Sequence, residues 1–248
     1  MVHHQIQPPF LNMAGEQVNL AGNEFEFGPL SEARNYRKAI LSVFGPFVRG
    51  NTLEVGCGIG RFTQDLQIFS PGAKITGLEP DPAFHGKFRD NNPDIPLLKG
   101  TAREVGGQWD CIVSVNVLEH IKEDLREIKT YHPMLKNGGH LCLFVPARQE
   151  IYSPVDAKFG HYRRYSRQEL KNKLESGGFR VVTLNYFNLI GYFTWLLACK
   201  LLRRENFSLG SIKLFDRWIL PVSLAIGRLL GNPIGQSLIL VASKPEPT

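Results

Sequence analysis

Cysteine is scarce in this chain, and none of its cysteines shows the spacing of a metal site. The 248 residues include four cysteines, at positions 57, 111, 142 and 199, and no pair forms C-x-x-C. This pattern argues against a zinc site and a disulfide framework. We therefore expect the four thiols to be small core residues of a protein in the reducing cytoplasm.

Long apolar segments are also lacking. The longest uncharged apolar stretch, 189–199, has eleven residues, whereas a bilayer-spanning helix needs about twenty. The first thirty residues contain no apolar region of the kind found in signal peptides. The sequence predicts neither a transmembrane helix nor a secretory leader, and no internal repeat is visible. With 43% apolar and 21% charged residues, the composition is that of an ordinary globular chain.

A nucleic-acid-binding signature is missing as well. The net charge is +6, from 29 Lys and Arg against 23 Asp and Glu, but no basic module interleaved with aromatic residues accompanies it. Such a moderate excess fits a solvated surface, or attraction to an anionic membrane or an acidic substrate. No nucleic-acid partner is expected.

The chain does have a glycine-rich turn between a strand and a helix. Residues 53–60 read Leu-Glu-Val-Gly-Cys-Gly-Ile-Gly, and an acid, Glu79, ends a second apolar run nineteen residues after the last glycine. Glycines serve where the backbone turns sharply and where no Cβ is tolerated against a ligand. An acid at the tip of the next strand can accept hydrogen bonds from a ribose diol. The pattern predicts an adenosine-containing ligand.

The spacing of the glycines selects among such ligands. A dinucleotide site has G-x-G-x-x-G and a P-loop has Lys-Ser/Thr, whereas this chain has G-x-G-x-G preceded by Glu54. Here the chain resembles the class I S-adenosylmethionine-dependent methyltransferases, in particular the ubiquinone/menaquinone-like group (methyltransferase type 11). The resemblance implies a methyltransferase that uses S-adenosyl-L-methionine as its cofactor. In that family the glycine loop contacts the methionine part and the acid contacts the ribose.

Two further segments carry the resemblance. Residues 109–120, Trp-Asp-Cys-Ile-Val-Ser-Val-Asn-Val-Leu-Glu-His, are similar to the family's fourth motif, which lines the cofactor and the acceptor pocket. The family often has Gly-Asp-Ala after its third strand, where this chain has Gly100-Thr101-Ala102. The implied cofactor-binding residues are Tyr36, Glu54, Gly56, Cys57, Gly58, Gly60, Glu79, Pro80, Thr101, Ala102, Asn116 and Val117. For Tyr36, which would close over the cofactor, plain packing between its helix and the sheet remains an alternative.

Two histidines are candidates for the base that removes a proton from the acceptor. His120 ends the fourth motif, although with Glu119 it could instead structure that loop. His161 belongs to the run 159–166, Phe-Gly-His-Tyr-Arg-Arg-Tyr-Ser, which resembles a block in the same bacterial group. In related quinone-precursor enzymes an acid–x–x–acid–His run can hold a divalent cation. Because Asn116 replaces the first acid, no metal is expected here.

The run around His161 also supplies candidate acceptor-binding residues, namely His161, Arg163, Arg164 and Tyr165. The two arginines could grip a carboxylate or phosphate of the acceptor. Alternatively, they tie this loop to the domain through carbonyl and acidic groups.

Apolar periodicity predicts the fold. Predicted strands alternate with predicted helices, with strands at 51–55, 74–78, 96–98, 110–115 and 139–145, and helices at 61–69, 82–89 and 122–133. This alternation is typical of a parallel α/β sheet covered on both faces. Asn137-Gly138-Gly139 predicts the end of the third helix. Ser166 and Glu169 predict a capping box on a later helix, followed by strands at 179–186 and 236–243.

The family resemblance implies a Rossmann-like seven-stranded sheet, in the order 3214576 with strand 7 antiparallel. We expect a flexible N-terminal arm at 1–28 and a methyltransferase domain at 29–248, with a helical cap insertion at 187–235. The cap is rich in leucine and aromatic residues with cationic edges. It could be a lid, a dimer face, a contact with a membrane surface, or an ordinary packed element.

The acceptor is expected to be a small or lipid-like amphipathic molecule, methylated on oxygen. A monomer or a homodimer, in the cytoplasm and in peripheral contact with a membrane, would suit this activity. Transfer to nitrogen or carbon, the same fold recruited to another reaction with the cofactor retained, and a non-catalytic cofactor-binding module remain alternatives.

Overall fold

The chain folds around one seven-stranded sheet. A computed structural model of the protein describes residues 32–204 and 208–246. The predicted arm at 1–28 lies outside the described residues. In chain order the strands are β1 (Asn51–Val55), β2 (Lys74–Glu79), β3 (Leu97–Lys99), β4 (Trp109–Val115), β5 (Leu135–Pro146), β6 (Arg180–Phe187) and β7 (Ser237–Ser243).

The sheet order is β3-β2-β1-β4-β5-β7-β6, which confirms the predicted 3214576 arrangement. The strands from β3 to β5 pair in parallel along this order. β7 runs antiparallel to both β5 and β6. The order of the strands reverses between β1 and β4, and ligands of open α/β sheets bind outside the carboxyl ends of strands at such a point. The glycine loop follows β1 and therefore lies there.

Helices cover both faces of the sheet. Before residue 187 the described α-helices are α1 (Arg34–Phe44), α2 (Arg61–Phe69), α3 (Pro82–Asn91), α4 (Ala102–Val105), α5 (Asp124–Met134), α6 (Pro154–Lys158) and α7 (Arg167–Ser176). Residues alternate along each strand between the two faces. In β5, Leu141 and Leu143 join the core beneath α5 and α7, while Cys142 and Phe144 join the core beneath α1 and α2. The four cysteines are free and buried, as predicted.

Two local predictions are corrected by the structure. Asn137, Gly138 and Gly139 do not end a helix: α5 already ends at Met134, and these residues belong to β5. Gly138 there has a φ of +71° and donates its N–H to the carbonyl of Lys244. The capping box of α7 is only half formed. The Ser166 hydroxyl accepts from the Glu169 N–H, but the Glu169 carboxylate pairs with Lys173 at 3.0 Å.

The segment 187–235, called the cap below, lies between β6 and β7. It contains α8 (Leu189–Trp195), which continues as a π-helical turn, α9 (Leu209–Leu214), and α10 (Leu220–Leu229), which follows a second π-helical turn. Leu220 joins the core beneath α1, and Cys199 packs against Val155 and Phe159. Within the described ranges, no helix combines the length and apolarity needed to cross a membrane.

Candidate active site

The glycine loop after β1 has no room for side chains at two of its glycines. A Cβ on Gly56 would lie 2.5 Å from Cγ2 of Val117, and one on Gly60 would lie 2.0 Å from Nδ2 of Asn92. Gly56, Gly58 and Gly60 all have positive φ, at +68°, +53° and +79°, a region that other residues enter only at a cost. The loop is thus held between the end of β4 and helix α3.

Glu79, at the carboxyl end of β2, is fixed against this loop. Its Oε2 accepts the N–H of Gly58 at 2.8 Å, and its Oε1 accepts the N–H of Asp81 at 2.9 Å. Burial raises the pKa of Glu79, and the two backbone N–H groups act in the opposite direction. Each carboxylate oxygen has further lone-pair capacity. Glu79 can therefore accept hydrogen bonds from a ligand while it orders the loop.

Glu54, in β1, is a second buried carboxyl group beside the loop. Burial raises the pKa of Glu54 to about 8, and the neighbouring charge of Glu79 acts in the same direction. Its Oε2 is buried and has no hydrogen-bond partner among the described residues. At neutral pH the group is mostly uncharged. A cationic ligand group placed beside it would favour its ionised form.

The remaining predicted cofactor residues lie at the same edge of the sheet. Asn116 follows β4 with a φ of +53° and donates its N–H to the carbonyl of Phe144. Tyr36 packs edge-on against Phe144 and Phe187, with ring centroids 5.7 and 5.2 Å apart. Burial raises the pKa of Tyr36 to about 12. Tyr36 thus makes the contacts between its helix and the sheet that were the alternative to closing over the cofactor.

The segment after β3 is used for local capping. The backbone N–H of Thr101 donates to Oε2 of Glu104 at 2.8 Å within the capping box of the short helix α4, and the Thr101 hydroxyl donates to the same oxygen at 2.9 Å. Ala102 is buried in the core, so its side chain faces no ligand. Cys57, in the glycine loop, is buried, and Pro80, which follows Glu79 in the chain, is exposed. Thr101 keeps acceptor capacity for an adenine amino group.

The two candidate bases lie next to each other. The rings of His120 and His161 meet edge to face, with centroids 4.7 Å apart. The N–H of Tyr162 donates to the carbonyl of Glu119 at 2.8 Å, so the loop after β5 is joined to the end of β4. Burial, together with the smaller effect of the nearby His161, lowers the pKa of His120 to about 3. His120 is therefore neutral at physiological pH.

A buried aspartate, which the sequence analysis missed, orients His161. Nδ1 of His161 lies 3.1 Å from Oδ1 of Asp156, while Nε2 is buried without a hydrogen-bond partner among the described residues. Burial opposes ionisation of Asp156, but hydrogen bonds from His161 and Arg164 outweigh it and lower the pKa of Asp156. An ionised Asp156 accepts a hydrogen bond from the N–H at Nδ1 of His161. The proton of the neutral ring is then on Nδ1, and the lone pair is on Nε2. The Ser153-x-x-Asp156 spacing is typical of a capping box, which the structure contains, and this spacing is the sequence pattern that could have identified Asp156.

Glu119, His120 and His161 also form a cluster that could hold a metal ion. One ligand atom from each lies within 4.8 Å of the others. Asn116 in place of an acid does not remove this cluster, because His161, from the loop after β5, supplies a third donor. The cluster is a set of nitrogen and oxygen donors that suits several divalent cations.

Arg164 and Tyr165, two of the predicted acceptor-binding residues, are buried and hydrogen-bonded to other parts of the domain. Arg164 is only 3% exposed, and its Nε donates to Oδ1 of Asp156 at 2.8 Å. The Tyr165 side chain is fully buried, and its hydroxyl donates to Asp124 at 2.9 Å. Arg163 pairs with Asp124 at 2.8 Å and donates to the carbonyl of Lys122. The three residues tie the loop to the domain, as in the alternative stated for the arginines.

Comparisons with known proteins agree with this geometry. Residues 30–184, more than half of the chain, match the model of a family described as a methyltransferase domain. A probable S-adenosylmethionine-dependent methyltransferase of Mycolicibacterium smegmatis is 28% identical over 57% of this chain and 56% of its own length. A ubiquinone biosynthesis O-methyltransferase of Marinobacter nauticus is 27% identical over 56% of this chain and 50% of its own length.

The matched stretch therefore spans only about half of each of these curated relatives. Among solved structures, the phosphoethanolamine N-methyltransferase 2 of Haemonchus contortus in complex with S-adenosyl-L-methionine superimposes with a TM-score of 0.60. That match is 14% identical and covers 89% of this chain and 57% of the other. At this identity it shows a shared fold.

Proposed function

The chain belongs to the class I S-adenosylmethionine-dependent methyltransferases, and we propose that it transfers the methyl group of S-adenosylmethionine to an oxygen of a small or lipid-like amphipathic acceptor. One observation carries the cofactor part of the proposal. Two buried carboxyl groups, Glu54 and Glu79, flank a glycine loop at the point where the strand order reverses. A ligand with a diol and a cationic group matches both carboxyls.

The residues at this edge fit the cofactor. Glu79 would accept the ribose hydroxyls, and Glu54 has an unpartnered buried oxygen for a cationic group of the methionine part. Gly56 and Gly60 let the loop pack closely against Val117 and Asn92, which fixes the path of its backbone beside the two carboxyl groups. We propose the predicted set as the binding residues, namely Tyr36, Glu54, Gly56, Cys57, Gly58, Gly60, Glu79, Pro80, Thr101, Ala102, Asn116 and Val117. For Ala102, only the backbone is a plausible contact.

His161 is the proposed base. S-adenosylmethionine supplies an activated methyl group, so the protein mainly has to position the acceptor and remove its proton. Asp156 holds the proton on Nδ1 of His161, and the free Nε2 can take a proton from an acceptor hydroxyl. His120 is neutral and packs against the ring of His161, which helps to hold that ring in place. The buried setting limits access of water.

The acceptor is proposed from the surroundings of this base. Trp195, Ala198 and Cys199 of the cap pack against Phe159, two residues from His161. Apolar surface near a base favours an acceptor with an apolar body and a polar or anionic end carrying the hydroxyl. The name of the Marinobacter relative, a ubiquinone biosynthesis O-methyltransferase, points to the same kind of molecule. We propose no nucleic-acid partner. We also propose that the protein, as a monomer or a homodimer, contacts a membrane surface peripherally through the cap.

A transfer assay tests the acceptor class. The protein is incubated with S-adenosylmethionine tritiated in its methyl group and with a cell lysate separated into lipid, small-molecule, protein and nucleic-acid fractions. We expect label in the lipid or small-molecule fraction with the wild type and none with Gly58→Arg. Label in protein or nucleic acid alone would contradict the proposal. Cofactor binding without label in any fraction would favour the non-catalytic alternative.

The base is tested once an acceptor is found. His161→Ala should lower kcat by roughly 100- to 10,000-fold while cofactor affinity stays unchanged, since a base acts in the chemical step. His132→Ala, on α5 beside Phe179, is the matched histidine control and should retain the wild-type rate. We expect excess chelator to leave the wild-type rate unchanged. A rate lost on chelation and restored by a divalent cation would assign His161 to a metal site and overturn its role as a base.

A further inference from the structure

The cap exposes far more apolar surface than the rest of the protein. Of fifteen large hydrophobic side chains that are exposed in the described residues, eleven belong to it. They are Phe193, Leu197, Leu201, Leu202, Leu209, Leu214, Trp218, Val222, Ile226, Leu229 and Leu230. Large contiguous apolar patches on a soluble surface mark an interaction site.

The exposed side chains follow helical spacing. Phe193, Leu197 and Leu201 recur every four residues along α8 and its π-helical continuation. Residues four apart lie on one side of a helix, so these three side chains form a stripe. A surface helix usually turns its polar face to solvent, and here the solvent-facing stripe is apolar.

A second stripe runs along the other half of the cap. Leu214, Trp218, Val222 and Ile226 are exposed at four-residue intervals, from the end of α9 into α10. The inward positions between them, Asp216, Leu220, Ser223 and Gly227, are buried. Since the inward side is already packed, the outer stripe is not the lining of the acceptor site.

The two stripes belong to adjacent helices. The Ser223 hydroxyl of α10 accepts the N–H of Ile190 in α8 at 2.8 Å and donates to Asn188 at 2.9 Å. A Cβ on Gly227 would lie 4.0 Å from the Cβ of Leu189. The small residues of α10 thus allow close approach, and the exposed side chains extend over both helices.

Charge identifies the partner. The cap has six basic and two acidic side chains, so it supplies four of the six net positive charges of the chain. Asp216 is buried and accepts the backbone N–H groups of Asn35 and Tyr36. Among the cap's described residues, only Lys213 has an ion pair, with Glu32. A second copy of the chain would bring these cations against each other, whereas an anionic surface would neutralise them.

A cationic cavity at the edge of the apolar surface strengthens this assignment. It has a volume of about 400 Å³ and is lined by Tyr152, Ser153, Pro154, Ala157, Lys200 and Arg203. Lys200 and Arg203 flank Leu201 and Leu202, both exposed. Lysine and arginine beside apolar side chains are the combination that interfacial helices present to lipid head groups and acyl chains.

We propose that the outer face of the cap binds the surface of an anionic phospholipid bilayer, with its leucines and Trp218 in the acyl boundary and its cations against the phosphates. The proposal rests on the peripheral membrane contact included in the proposed function, and it adds which surface makes that contact and which lipid charge it requires. It does not depend on methyl transfer. The match to the family model ends at residue 184, so the cap that would make this contact lies outside the matched residues.

Vesicle flotation tests the proposal with the full-length protein and no added cofactor. The wild type should float with vesicles of phosphatidylcholine and phosphatidylglycerol, but not with phosphatidylcholine alone, and high salt should weaken the binding. The double variant Trp218→Gln/Val222→Gln should bind at least roughly tenfold more weakly. Ile68→Gln is the matched control, because Ile68 on α2 is 74% exposed, and it should bind like the wild type.

The charge contribution has its own pair of variants. Arg217→Gln/Arg228→Gln should reduce binding to anionic vesicles, whereas Arg126→Gln, on the exposed side of α5, should not. Circular dichroism and thermal unfolding verify that each variant is folded. Absence of flotation with anionic vesicles, or equal flotation of the Trp218→Gln/Val222→Gln protein, would overturn the proposal, as would a dimer that this double variant dissociates. Flotation without methyl transfer would support it and count against the proposed function.

Discussion

At the scale of single residues, Glu54 shows how burial changes the chemistry of a side chain. Its folded-state pKa of about 8 lies above the ordinary 4.5. An acid with a raised folded pKa contributes stability at low pH, and that contribution is lost as pH rises from 4.5 through 8, because the unfolded chain ionises first. The cofactor-free protein should therefore lose stability over this window.

Two measurements check this property of Glu54. Urea unfolding of Glu54→Gln should show a shallower fall in the free energy of unfolding between pH 4.5 and 8 than that of the wild type. Calorimetry in buffers of different ionisation enthalpy should detect release of up to about one proton at pH 7 when S-adenosylmethionine binds, since its cationic group favours the ionised carboxyl. A wild type that releases no more protons than Glu54→Gln would contradict this account of Glu54.

Asp156 is the second residue whose environment allows a sharp expectation. It is fully buried, accepts from His161 and Arg164, and also accepts from Ser153. Asp156→Asn leaves the Arg164 charge buried without its partner, and we expect a loss of about 3–5 kcal/mol in the free energy of unfolding. Asp94→Asn, at an exposed position, is the control and should change it by less than about 0.5 kcal/mol. Equal stability of the two variants in urea would show that the ion pair is not structural.

At the scale of elements, the cap and the N-terminal helix hold each other in place. The Asp216 carboxylate accepts the N–H of Asn35 at 2.9 Å and of Tyr36 at 2.8 Å, at the first turn of α1. Unpaired N–H groups and the positive end of the helix dipole favour an acid there. The cap thereby positions the helix that carries Tyr36.

Asp216→Ala tests this connection. Removal of a helix cap costs about 1–2 kcal/mol, and amide hydrogen exchange should become faster across 34–44. Ser166→Ala removes the cap of α7 and serves as the control, because its effect should be confined to 167–176. Unchanged exchange at 34–44 in Asp216→Ala would show that α1 does not depend on the cap.

The sequence predicts the bounds of strands and helices better than it predicts the side-chain contacts between them. The strand at 51–55 and the helix at 61–69 have the predicted bounds, because the glycines between them mark both ends. The predicted end of helix α5 lies within one residue of Met134, but Asn137-Gly138-Gly139, which has the composition of a helix stop, belongs to β5 because strand pairing places it there. The roles of Asp156, Arg164 and Tyr165 depend on partners from other elements, such as Asp124, 41 residues away from Tyr165. Local patterns do not contain such contacts.

At the scale of the whole molecule, the sheet order gathers residues from distant parts of the chain at one edge. The carboxyl ends of β1, β2 and β4 hold Glu54, Glu79 and Asn116, and the loop after β5 adds His161. The cap packs against residues of α1 and α6. Cofactor binding and proton removal are thus proposed for one edge of the sheet, and contact with a membrane is proposed for the outer face of the cap.

Calorimetric titration with S-adenosylhomocysteine tests the central claim most directly. The wild type should bind it, Gly58→Arg should not, and Glu79→Gln should bind roughly 10- to 100-fold more weakly because charged hydrogen bonds to the ribose are lost. Glu123→Gln, which changes an exposed acid after the motif at 109–120, should bind like the wild type. Tight binding of NAD by a folded protein that shows no affinity for S-adenosylhomocysteine would contradict the account.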